Sequence, residues 1–150
     1  MSDLRDLYQE LILDHNRRPR NFGPLAEANR EARGVNPLCG DKVTVHLHVE
    51  DGQVKDIRFE GTGCAISIAS ASVMTESLKQ RTSEDALDLF ERFHQMVTAT
   101  DGTAAAPADM GKLEAFAGVR DYPARVKCAT LAWHTLRAAL DGQDKAVSTE

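Results

Sequence analysis

The sequence predicts an α+β fold built on a small antiparallel sheet. Two observations carry this. Residues 42–61 alternate apolar and polar side chains with a period of two around Asp51-Gly52. The segments before and after them carry apolar residues at helical spacing. A chain of 150 residues is one domain's worth, and one of this size buries roughly 70% of its unfolded surface. A hydrophobic fraction of 42% and a charged fraction of 27% exclude a disordered chain or a coiled coil.

Leu4, Leu7, Tyr8, Leu11, Ile12 and His15 share one helical face, with Ser2 as its cap. His15 continues that stripe and is expected to be buried against a polar partner. Pro19 and Pro24 forbid continuation, so residues 17–30 are expected to form an extended surface connection. A short strand at 32–35 completes the sheet.

The hairpin's register follows from its apolar residues. A plain two-residue turn at Asp51-Gly52 sets Leu47 opposite Asp56 and Val45 opposite Arg58. A shift of one sets Leu47 opposite Ile57 and Val45 opposite Phe59, one consistent apolar face. The connection is therefore expected to have three or five residues, or a bulge.

A second helix over 65–80 begins with the small residues Ala65, Ser67, Ala69, Ser70, Ala71 and Ser72. Ile66, Ala69 and Val73 mark its inner face. Thr82 and Ser83 cap a third helix, 82–99, with the stripe Ala86, Phe90, Phe93 and Val97. Residues 100–111 form a low-complexity loop, and 112–117 a short helix. The last helix starts near Pro123 and carries Ala129, Trp133, Leu136 and Leu140. The polar tail, 141–150, is expected to fray.

The net charge of −5, with no Lys/Arg cluster, argues against nucleic acid and anionic membranes as partners. No apolar run reaches the roughly 20 residues that cross a bilayer, and the first ten residues lack a signal peptide's apolar stretch. A reducing cytosol is the default for the three cysteines, Cys39, Cys64 and Cys128.

All three stand at element ends. Cys39 sits on the loop Asn36-Pro37-Leu38-Cys39-Gly40-Asp41, Cys64 at a strand-to-helix junction and Cys128 in the first turns of the last helix. Scattered cysteines are by default core fillers. With Asp41, however, they also make a Cys3Asp set of the size Zn²⁺ accepts, in which Asp41 is the least sulfur-like ligand. His46 and His48 share one strand face at a spacing a metal could use. Lys42, Thr44 and Glu50 on that face point instead to a solvated surface. His94 and His134 read as packing or surface residues.

The sequence resembles the U-type iron–sulfur cluster assembly family. The resemblance rests on Tyr8 to His15, Pro19-Arg20-Asn21-Phe22-Gly23, Asn36 to Asp41, Gly61-Thr62-Gly63-Cys64-Ala65-Ile66-Ser67 and Arg125-Val126-Lys127-Cys128-Ala129. It runs from about residue 5 to residue 140. Lys127 stands where the IscU-like scaffold branch carries a histidine. The long segment between Cys64 and Cys128, with an insertion at about 82–111, is similar to the SufU-type branch.

The resemblance implies a SufE/IscU-like α+β domain over 1–150, its three-stranded antiparallel sheet covered by helices on one face. It implies Zn²⁺ on Cys39, Asp41, Cys64 and Cys128, with Cys39 as sulfur acceptor. The implied partners are a SufS-type, PLP-dependent cysteine desulfurase and a downstream iron–sulfur scaffold. Two alternatives stay open: a scaffold assembling a [2Fe–2S] cluster on Cys39, Cys64 and Cys128, and a structural zinc module that binds a partner.

Overall fold

The computed structural model describes the backbone of residues 2–98, 111–142 and 147–148, and the side chains of 9–98, 111–119 and 122–142. Helix α1, Ser2–Arg17, leads into strands β1 (Arg30–Asn36), β2 (Asp41–Glu50) and β3 (Gln53–Thr62). Helices α2 (Ala65–Leu78) and α3 (Ser83–Thr98) follow, then a 3₁₀ segment over Gly111–Asp121 and helix α4, Pro123–Leu140. The cap expected at Ser2 and the stripe from Leu4 to Tyr8 lie outside the described side chains, and most of the low-complexity loop lies outside the described residues.

The three expected strands pair antiparallel in the order β3-β2-β1. Val45 faces Phe59 and Leu47 faces Ile57, the register that the apolar pattern requires. Asp51 and Gly52, at φ 54° and 74°, make a two-residue turn of the twisted kind hairpins favour. The register steps by one between His48↔Asp56 and Val49↔Val54, leaving Lys55 as the extra residue. A tight turn and a bulge together restore the apolar face.

The tail departs from the expectation of fraying. Val147–Ser148 form a short strand, β4, that pairs parallel with Gly34 and Val35 at the free edge of β1. The connection after α1 also does more than cross the surface. Gly23 donates its N–H to the Phe59 carbonyl at 2.8 Å, and Phe59 donates to Asn21 at 3.0 Å. Phe22 packs edge-on against Phe59 with ring centroids 5.2 Å apart.

Val43, Val45, Leu47, Ile57 and Phe59 give one sheet face to a core shared with α2 and α4. At Gly34 any Cβ would fall 2.0 Å from Thr135 Oγ1, so glycine lets α4 lie directly on β1. Trp133 is fully buried and stacks on Phe93 at 4.8 Å, tying α4 to α3. Thr82 caps α3 by accepting the Asp85 N–H at 3.0 Å.

Helix α2 does not have the single inner face that its pattern suggested. Every residue from Ser67 to Thr75 is buried, whereas Ile66 is only partly so. The helix is packed by α1, α4 and β3 at once, and its small residues make that possible. Its hydroxyls find partners: Ser70 donates to the Ala129 carbonyl at 2.6 Å and accepts from Trp133 Nε1 at 3.2 Å. His15 is buried as expected, with Nδ1 2.7 Å from Ser72 Oγ.

His46 corrects the solvated-face reading. It is buried, with Nε2 2.8 Å from Glu60 Oε1 and Nδ1 3.3 Å from Glu31 Oε1. Carboxylates from both neighbouring strands close over the ring, so the outer sheet face supplies its own polar cover. His94 and His134 pack edge-on against Phe90, at 5.9 and 5.2 Å.

Candidate metal centre

The hairpin between β1 and β2, the β3–α2 junction and the start of α4 meet at one end of the sheet. Asn36 ends β1 and pairs with Asp41, the first residue of β2. The loop between them is closed by the Cys39 N–H, which donates to the Asn36 carbonyl at 3.3 Å, and by Gly40 at φ 71°. Cys39 is thereby held on an exposed turn whose base is buried.

Asp41 is 1% exposed, and its oxygens are divided between two tasks. Oδ1 accepts the Cys64 N–H at 2.8 Å, which serves the first turn of α2. Oδ2 accepts Asn36 Nδ2 at 3.2 Å and lies 3.9 Å from Cys64 Sγ. Gly63 makes this possible: a Cβ there would fall 2.3 Å from Asp41 Oδ1 and 3.0 Å from its Cα.

Cys128 is fully buried in α4. Its thiol donates to Cys39 Sγ at 3.4 Å, and Asn36 Nδ2 reaches its sulfur at 3.5 Å. Burial pushes the Cys128 thiol pKa up, and hydrogen bonds with Cys39, Asp41 and Cys64 push it further.

The structure thus brings together donor atoms of Cys39, Asp41 and Cys128, all within 4.8 Å of one another. Cys64 borders the group through Asp41 rather than lying inside that radius. Two sulfurs and a carboxylate oxygen at this spacing can hold a divalent ion, with Cys64 at hand as a fourth donor. The three thiols form no disulfide. His46 and His48 lie on the sheet and take no part in the group.

Arg125 escaped the sequence reading as a site residue. Its guanidinium lies beside the cysteines, and its pKa is raised first by the charge of Cys64, then by its hydrogen bond to Cys128 and the charge there, and last by Cys39. Its position three residues before Cys128, on the same side of a helix, was the available signal. Leu38 and Tyr122, 66% and 64% exposed, stand beside Cys39 and at the start of α4.

The family model described as the NifU-like N terminal domain matches residues 7–141. The zinc-dependent sulfurtransferase SufU of Bacillus subtilis is 39% identical over 90% of this chain and 90% of its own. Iron–sulfur cluster assembly scaffold proteins named IscU are 36% identical in Streptococcus pyogenes and 42% in Thermotoga maritima. Those alignments cover 93% and 89% of this chain, and 86% and 92% of the relatives.

Among solved structures, a nitrogen-fixing NifU-like protein (N-terminal) from Brucella abortus superposes with a TM-score of 0.81 at 28% identity, over 93% of this chain and 95% of that one. A candidate SUF-system scaffold protein from Fervidobacterium islandicum gives 0.80 at 34% identity, over 87% and 94%. On this fold, these motifs and this likeness along nearly the whole chain, the protein belongs to the NifU-like N-terminal domain family of iron–sulfur cluster assembly proteins, the family of IscU and SufU.

Proposed function

We propose that this chain is a zinc-dependent sulfur acceptor that takes persulfide sulfur on Cys39 from a SufS-type, PLP-dependent cysteine desulfurase. The observation that carries the reading is the contrast between two adjacent thiols. Cys39 is exposed on a loop, and Cys128, 3.4 Å away, is fully buried in a helix. One can meet a partner's sulfur and the other can stay behind.

Cys39, Asp41, Cys64 and Cys128 would hold Zn²⁺, which keeps thiols ionised at neutral pH. The Cys39 thiolate attacks the outer sulfur of the partner's persulfide. The partner's S–S bond breaks, its electron pair returns to the partner's cysteine, and Cys39 becomes the persulfide. The Arg125 guanidinium stands at the same site, beside Cys64, Cys128 and Cys39. The exposed Leu38 and Tyr122 offer apolar contact at the same end. A downstream iron–sulfur scaffold would then receive the sulfur. Free thiols suit a reducing cytoplasm, and no helix among the described residues is long and apolar enough to cross a membrane.

The names of the IscU relatives favour a second reading, a scaffold for a [2Fe–2S] cluster on Cys39, Cys64 and Cys128. Lys127 weighs against it, because an ammonium offers no lone pair where that branch supplies an imidazole. One experiment separates the readings. The chain is incubated with a SufS-type desulfurase and cysteine, then analysed for metal and by peptide mass spectrometry. Zinc in the chain and an extra sulfur on Cys39 support the acceptor. Iron and sulfide in the chain support the scaffold. Zinc without transferred sulfur leaves a structural zinc module.

A further inference from the structure

Asn36 is fully buried at the base of the Cys39 loop, and its side chain is arranged at a cost. Nδ2 points between Asp41 Oδ2 and Cys128 Sγ, at 3.2 and 3.5 Å. Oδ1 is buried and has no hydrogen-bond partner. The amide cannot be turned to relieve this. The Asp41 carboxylate only accepts, and Cys128 spends its S–H on Cys39 and turns a lone pair to the amide, so only the NH₂ end fits between them. Nor does closing the hairpin need the side chain. The Asn36 backbone already pairs with Asp41 and accepts the Cys39 N–H. An apolar residue here would close the same turn without burying an unpaired carbonyl.

The amide's two N–H groups suit two acceptors held side by side, the arrangement the zinc reading requires of Asp41 and Cys128. With zinc bound, one N–H would serve the carboxylate and the other the zinc-held sulfur, both as charge-assisted bonds. We infer that the Asn36 carboxamide is a positioning residue that holds Asp41 and Cys128 together as the fixed pair of metal ligands, leaving Cys39 the ligand free to exchange. Cys39 is exposed, and the amide's bonds go to Asp41 and Cys128 instead. The inference rests on the zinc reading above and adds to it what distinguishes the ligand that stays from the ligand that leaves.

The test compares zinc release to a competing chelator from the full chain and from Asn36→Ala, Asn36→Ser and Asn36→Asp, alongside the melting temperature of each metal-free chain. Removing a group that orients ligands costs about 10- to 100-fold in metal affinity, and that is the loss expected for Asn36→Ala. Its metal-free chain loses the unpaired carbonyl but also the amide's donation to Asp41, so its melting temperature should change little. Asn36→Ser keeps one donor and should fall between. Asn36→Asp keeps the shape but places an acceptor against two anions, and should lose most. In the cobalt-substituted chain, Asn36→Ala should also shift the thiolate-to-cobalt charge-transfer band, which a purely structural role would leave in place. Unchanged zinc affinity in Asn36→Ala overturns the inference alone. So does a fall in metal-free stability that accounts for the lost zinc. A wild-type chain that retains no zinc overturns the reading beneath it, and the inference with it.

Discussion

His15 Nδ1 lies 2.7 Å from Ser72 Oγ and joins α1 to α2 across 57 residues of chain. The hydroxyl also accepts the Arg20 N–H at 2.8 Å, so one buried oxygen gathers helix, turn and helix. Glu76 stands 3.6 Å from the other ring nitrogen.

Stability should therefore fall in mild acid. Burial, helped by Arg20, lowers the pKa of His15, and Glu76 offsets this only in part. Burial also lowers that of His134. The unfolded chain takes up protons near the ordinary imidazole value of about 6.5, whereas the folded chain resists them. The stabilisation is whole above that value and is lost as pH falls through the window below it. Thermal melts across this range should show the decline, and His15→Gln should flatten it. A His15→Gln chain with the wild-type slope would assign the effect elsewhere.

Gly63→Ala should damage the cysteine site more than the fold. The new Cβ meets Asp41, 2.3 Å from Oδ1, at a backbone φ of 151° that side chains disfavour. Overpacking of this kind costs about 1–3 kcal/mol. The carboxylate must move, and metal content measured after purification should drop further than stability predicts.

The three cysteines should separate by experiment. Cys39→Ala should abolish sulfur acceptance and leave the melting temperature of the metal-free chain nearly unchanged, because the residue is exposed. Cys128→Ala removes a fully buried group and should cost about 0.5–3 kcal/mol in that chain. Peptide mapping after reaction with the desulfurase should find the sulfur on Cys39, and sulfur mainly on Cys64 or Cys128 would reverse the assignment.

Arg125→Ala should keep the fold and slow the site. The guanidinium is exposed, so its loss opens no cavity. Alkylation of Cys39 and sulfur uptake should both slow, and Arg125→Lys should restore part of each rate. Raising the salt should narrow the gap between wild type and variant, since exposed charges are screened over about 10 Å at 0.1 M.

Much of this architecture could be read from side-chain order alone. Leu47, Ile57, Val45 and Phe59 set the hairpin's register because a slip would turn all four toward water. A bulge is one of the three connections that requirement allows, and its place at Lys55 is not legible in the pattern. What escaped depends on distant chain. Nothing local marks His46 as buried, because its cover comes from Glu31 and Glu60 on two other strands. Helix α2 reads as one-sided until α1, α4 and the sheet close on it together. Val147–Ser148 are too short to show a strand period. At the cysteine site, loop and helix starts could be seen, but the buried amide of Asn36 was hidden inside a motif read for its thiol.

The sheet leaves little open ladder. Asn21–Gly23 and Gln80–Thr82 bond along the outer side of β3, and Val147–Ser148 lie along β1. Unpaired strand edges invite other chains to add on, and here each border carries a short segment of the same polypeptide, on β1 at Gly34 and Val35. These segments shorten the ladder that a visiting strand could extend. Leu38 and Tyr122, by contrast, stand clear of the surface, and a chain that docks on them arrives beside Cys39.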